Sequence, residues 1–213
     1  MLYINSWGAH MTIKLTPANL FAGRKKALQN ANELFDDAKI LFNAGRYART
    51  FFLIQIATEE LGKYGIMATS SISALHGSLD WKRFWQRFRD HKNKTEHLLL
   101  LEDLNQFISE KQKDLLNIEE NRKYSSMHEN VKMKSLYCDI IDGSEDFILP
   151  SQIISRKMCE TALQLLENRI GLVTSFETEV ASKFKLDKLR SEDIERFYNK
   201  VGSSKLLKRR TKP

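Results

Sequence analysis

The chain has 213 residues, 42% hydrophobic and 29% charged, enough for one large domain or two small ones with a buried core, and too apolar for a wholly disordered chain. Its net charge of +7 suggests nucleic acid, yet five of those excess charges sit on Lys205, Lys208, Arg209, Arg210 and Lys212, so the body is close to neutral and the tail alone is basic. No apolar run reaches the roughly 18 residues of a membrane span, which argues against a membrane role.

Other features of the composition bear on setting and fold. Cys138 and Cys159 form neither a CxxC nor a zinc spacing, pointing to a reducing, cytoplasmic setting and to thiols buried as small hydrophobes. Only Pro17, Pro150 and Pro213 are prolines, where average usage would give roughly ten. Long helices therefore have room to form.

In chain order, MLYINSWGAH carries no helix signal. Met11 is read as the natural start, residues 1–15 as a disordered or non-native segment, and His10 is set aside. Thr16-Pro17 is a capping residue followed by proline at the first helical position. Ala27/Leu28, Ala31, Leu34/Phe35, Ala38 and Leu41/Phe42 then make one apolar stripe, which Gly45 ends. A second helix runs from Arg46 to about Ser73 and is apolar around most of its circumference, as a central helix would be. The short connection makes the first two helices antiparallel neighbours.

His76-Gly77-Ser78 reads as a turn, with Ser78 placed to cap a third helix. That helix carries Trp81, Phe84, Trp85 and Phe88 at i, i+3, i+4 and i+7, interleaved with Lys82, Arg83, Arg87 and Arg89. The spacing predicts a core-facing aromatic stripe with a solvated basic back rather than a base-stacking platform. Leu98–Leu101, Leu104, Phe107 and Ile108 predict a fourth helix. Ser109 to Lys134 is polar, either an exposed helical extension or a mobile segment. Alternation around Asp142-Gly143 is a hairpin signal, and Pro150-Ser151 starts the last long helix, with its stripe from Ile154 to Phe176. A weaker helix is expected at Ser191–Val201, before the basic tail. The reading is all-α: an antiparallel bundle of four to five helices over residues 16–183 with a short extended excursion before the last long helix, then a short helix and basic tail over 184–213.

Glu59-Glu60-Leu61-Gly62-Lys63 is the unusual local feature, because it places charge inside an apolar helix. Glu59 and Lys63 stand in the favourable order for an i,i+4 ion pair, and Gln55 lies one turn earlier on the same face. Such charges are paired, exposed on a stripe, part of a dimer contact, or used in a site.

Gly45-Arg46-Tyr47-Ala48 followed by Ala57-Thr58-Glu59-Glu60-Leu61-Gly62-Lys63 resembles the helix pair of the AbiV family of phage abortive-infection proteins. Phe88-Arg89-Asp90-His91-Lys92-Asn93-Lys94, Lys134-Ser135-Leu136-Tyr137-Cys138-Asp139 and Pro150 fit the same pattern in the same order. AbiV-like proteins are similar to the HEPN superfamily of small helical bundles that often dimerise and recur in toxin–antitoxin and phage-defence systems. The resemblance implies an effector that arrests growth or translation of the infected cell. Many HEPN proteins are metal-independent ribonucleases whose active site uses an Arg, a gap of four to six residues, then a His. The His moves the proton of a ribose 2′-hydroxyl while the Arg stabilises charge developing on the phosphate.

Arg122 and His128 fit that spacing with five residues between them, although Lys123 replaces the usual polar residue after the arginine. They are the catalytic candidates. Glu59, Glu60, Lys63, His91, Lys94, Lys134, Tyr137 and Asp139 are the binding candidates. His91 would contact phosphate, pair with Glu59 or Glu60 across the bundle, or close a helix C-terminus. Tyr137 and Asp139 would line a site with Lys134, or else pack and cap locally. His76 and His97 have no partner that the sequence names. Carboxylates and histidines lack the spacing of a di-metal bundle site and no glycine-rich phosphate loop occurs, so neither a metal nor another cofactor is expected. The expected partners are a second copy of the chain, RNA, and a phage-encoded protein or antitoxin. The alternative to an RNA-cutting effector is a non-catalytic interaction protein that blocks translation only as a complex.

Overall fold

The computed structural model describes residues 13–110, 118–140 and 146–183. Seven helices and one short hairpin occur among them: α1 (Pro17–Asn43), α2 (Tyr47–Leu75), α3 (Trp81–Arg89), α4 (His91–Glu110), α5 (Ile118–Leu136), β1 (Asp139–Ile140), β2 (Phe147–Ile148), α6 (Pro150–Ile153) and α7 (Arg156–Lys183). The all-α expectation holds. The leader before residue 13, Asp142-Gly143, the Ser191–Val201 helix and the basic tail lie outside the described residues.

Thr16 caps α1 reciprocally. Its hydroxyl accepts from the Asn19 backbone N–H at 3.1 Å, and the Asn19 side-chain oxygen accepts from the Thr16 N–H at 3.2 Å. Gly45, at φ 70°, turns the chain between α1 and α2. Alanines at 27, 31 and 38 on the buried stripe of α1 let α2 lie close, and Ile54, Ala57, Leu61 and Tyr64 of α2 share a core with Leu166, Ile170 and Val173 of α7. A buried polar link ties the three helices: Tyr64 donates to Glu177 Oε2 at 2.7 Å, and Arg24 donates to Glu177 Oε1 at 3.3 Å. The aromatic stripe of α3 faces this core as expected, with Phe84 only 2% exposed and its ring centroid 4.9 Å from that of Trp85.

Several expectations change. Asp80, not Ser78, caps α3 by accepting from the Arg83 N–H at 3.1 Å, because Ser78 turns back to donate to the Ser73 carbonyl. The fourth helix begins at His91 rather than near Leu98, since Asp90 accepts from the Asn93 N–H at 2.7 Å and caps it. His91 therefore opens a helix and does not close one. Pro150 starts only the single turn α6. Ile154 then leaves helical geometry (φ −91°, ψ 111°) to bury its side chain, and Ser155 accepts from the Met158 N–H at 3.2 Å to start α7. Cys159 is buried, but Cys138 is exposed beside the hairpin. β1 and β2 pair antiparallel, Asp139 opposite Ile148 and Ile140 opposite Phe147.

The polar stretch before the hairpin is the largest change. It folds as α5 and buries one face, on which Ser125, His128, Lys132 and Ser135 recur at three- and four-residue steps. Beside α5, α4 also packs on α2, close enough that a Cβ at Gly62 would collide with the Lys94 backbone carbonyl. A Cβ at Gly65 would fall 2.9 Å from Leu101 Cδ1.

Gly62→Ala should therefore lower stability by about 1–3 kcal/mol through overpacking. Gly171→Ala, where an added Cβ meets nothing within 4 Å, should raise it by about 0.5–1 kcal/mol through helix propensity. Urea denaturation of both variants checks the pair; equal effects would contradict the close approach of α2 and α4.

Candidate functional site

Glu59 is 3% exposed, and two helices, α4 and α5, bring positive groups to it. His91 Nδ1, at the start of α4, is 2.7 Å from Glu59 Oε2, and Lys94 Nζ donates to the same oxygen at 3.1 Å. Lys132 Nζ, from α5, donates to Glu59 Oε1 at 2.7 Å and also meets Glu129 at 2.7 Å. Both lysines are themselves buried. Burial alone would raise the Glu59 pKa, but hydrogen bonds from Lys132 and His91, with the charges of Lys132 and Lys94, outweigh it and hold the carboxyl below its ordinary value. The His91 side chain is 52% exposed, so it carries this buried network to the surface.

Five sequence candidates thus stand in two groupings. Glu59, His91 and Lys94 meet as one cluster, and Lys132, which sequence reasoning missed, completes it. The expected Glu59–Lys63 pair does not form: Lys63 bonds instead to Glu60 at i,i+3 and lies 5.6 Å from the Phe88 ring centroid. Glu59 points inward, where partners from α4 and α5 reach it first. Lys134, in the last turn of α5, is half-buried, while Tyr137 is 55% exposed in the bend before β1. Asp139 is exposed, and its Oδ1 accepts from the neighbouring Ile140 N–H at 2.8 Å. His97 finds a local partner, its Nδ1 lying 2.7 Å from the Asn93 carbonyl.

His128, one turn before Lys132 on α5, is 9% exposed and lines a cleft of about 470 Å³ between α2, α5 and α7. Arg169 of α7 lines the same cleft and is held by Glu102 of α4, with Nε to Oε1 at 2.7 Å and Nη2 to Oε2 at 3.3 Å. Burial, then the positive charge of Arg169, push the His128 pKa down from 6.5 to about 4, with Glu59 opposing and Lys132 adding to the shift. At neutral pH the imidazole is uncharged. Arg122 lies early in α5, with its side chain outside the described residues. Six positions apart on one helix, Arg122 and His128 start about 120° from one another around the axis.

The side chains of Glu59, His91 and Glu129 come within 4.8 Å of one another, a grouping capable of holding a cation. No local spacing could reveal it, because the three residues come from three helices. The Lys132 ammonium, at 2.7 Å from both carboxylates, already bridges them as a metal ion would, and Lys94 adds a second positive charge. The donor set fits a lysine and disfavours a divalent ion.

Two titrations follow with distinct windows. Glu59 is depressed below its ordinary value of 4.5, so its contribution is complete above pH 4.5 and is lost as pH falls through its folded value. His128 in the unfolded chain gains a proton near pH 6.5, but in the folded chain only near 4. Stability should fall between pH 6.5 and 4 by up to about 3 kcal/mol from this group. Denaturation as a function of pH should show His128→Asn flattening that window while leaving the loss below 4.5. A His128 imidazole that titrates near 6.5 by NMR would contradict the buried placement.

A family model described as AbiV, of the HEPN type, matches residues 19–171. No curated protein and no solved structure matches the chain. The matched span contains every residue of the Glu59 network and of the cleft, and the chain belongs to the AbiV family of HEPN proteins.

Proposed function

We propose that this chain is an abortive-infection effector that arrests growth or translation of the infected cell by cutting RNA without a metal ion. Family membership carries the phage-defence role. The observation that supports RNA cutting is the cleft in which an uncharged His128 stands with the guanidinium of Arg169. A neutral imidazole takes the 2′-hydroxyl proton, and the oxygen attacks the adjacent phosphorus to form a 2′,3′-cyclic phosphate. The P–O5′ bond breaks with the 5′-oxygen leaving as a hydroxyl once protonated, and cationic groups stabilise the charge that develops on the phosphate. Arg122 approaches from α5 of the same chain or of a second copy, with the two His128 regions forming a basic cleft across a homodimer. Glu59, through Lys132, holds the helix that carries His128. Lys134, Tyr137 and Asp139, with Glu60 and Lys63, bind substrate or partner at the margins.

A second reading has its own support. Met127 is 60% exposed, Met158 36% and Leu165 39% around the cleft mouth, and adaptable apolar side chains of this kind suit a protein partner. On that reading the chain is a non-catalytic interaction protein, and a phage-encoded protein or antitoxin covers the cleft.

Induced expression of wild type and His128→Ala, followed by growth and total RNA integrity, separates the two readings. The ribonuclease reading expects fragmented RNA with wild type only. Intact RNA in both strains, with protection retained by His128→Ala, would overturn it in favour of the interaction protein.

A further inference from the structure

Gln55 lies on α2 one turn before Glu59 and is 5% exposed, yet its side-chain carbonyl Oε1 has no hydrogen-bond partner among the described residues. An amide oxygen taken out of water without a donor costs free energy, and an apolar residue of similar size would be more stable there. Retaining it suggests a donor that arrives from outside. Gln55 lines the same cleft as His128, and its oxygen, which has almost no accessible surface, reaches the cleft by rotation of the terminal amide.

The rest of the cleft narrows the class of that donor. Phe51, Met127 and Met158 line it with flat and polarisable apolar surface. Lys157 also lines it, with its side chain 85% exposed and its ammonium 3.9 Å from Glu160, a loose pairing. A volume of about 470 Å³ is within the range of small-ligand sites. The ligand that suits these groups has a flat apolar body, an N–H donor on its edge and an anionic group left at the mouth. We propose that the cleft binds a single nucleotide, with its base inside, an N–H of the base edge donating to Gln55 Oε1, and its phosphate meeting Lys157. The inference rests on the RNA-cutting reading, because it makes Gln55 the base-binding residue beside His128. A nucleotide reaches the cleft either within an RNA strand or free, and the chemistry of recognition is the same.

The test titrates the full-length chain, by calorimetry, with a single-stranded RNA oligonucleotide bearing 2′-O-methyl groups, which cannot be cut, and with the four ribonucleoside monophosphates. Gln55→Leu removes the acceptor, and Thr161→Trp fills the cleft from its exposed rim. Each should weaken binding at least tenfold, while Gln55→Leu raises the thermal midpoint because the unpartnered oxygen is gone. Oligonucleotide binding alone identifies the strand as the source; equally tight monophosphate binding identifies the free nucleotide. Absence of binding to either probe, or binding unchanged in both variants, would overturn the inference. Gln55-dependent binding without any RNA cleavage by wild type would sink the ribonuclease reading and leave the nucleotide site standing. Cleavage at an unchanged rate in Gln55→Leu would sink the nucleotide site alone.

Discussion

A carboxylate removed from water has to be met by positive charge and hydrogen bonds, and in this bundle Glu59 sets that requirement at the centre of α2. Two buried lysines and a half-exposed histidine answer it, delivered by α4 and α5. Neither lysine would be stable at its depth without the carboxylate, so the three buried charges hold one another in place. The network thereby orders α5, a helix whose apolar content is too low to dock by hydrophobic burial alone.

Close helix packing is what makes the network reachable. Gly62 lets the α4 backbone press against α2, so that Lys94 and His91 start within side-chain reach of Glu59. On α5, Lys132 is one turn beyond His128, and anchoring the first fixes the second on the cleft wall opposite Arg169. The same geometry accounts for the neutral imidazole: burial and nearby guanidinium and ammonium charge disfavour protonation more than Glu59 favours it. Fold and candidate chemistry thus share one set of residues.

The helices with apolar stripes were legible in the sequence, as were the Thr16-Pro17 start, the Gly45 turn and the core-facing aromatics of α3. Residues 118–136 were not, because the stripe that docks them is polar: Ser125, His128, Lys132 and Ser135 follow helical spacing, but a search for apolar periodicity passes over them. That polar stripe was the available signal for Lys132. His91 and Lys94 were picked out with Glu59 through the family resemblance, and pairing across the bundle was among the roles open to His91. Nothing local distinguished it from pairing with Lys63, since i,i+4 order describes an isolated helix and not one whose face turns inward. Arg169 and Gln55 reach the cleft only through the tertiary arrangement of α2 and α7, which no single stretch encodes.

The account depends on Glu59 and Lys132 acting as a coupled pair that docks α5. A double-mutant cycle with Glu59→Gln and Lys132→Met, read by urea denaturation, measures that coupling directly. The account predicts a coupling of about 2 kcal/mol or more, with the double variant less destabilised than the sum of the two single effects. Additive effects, with a coupling near zero, would contradict it and leave α5 held by other forces.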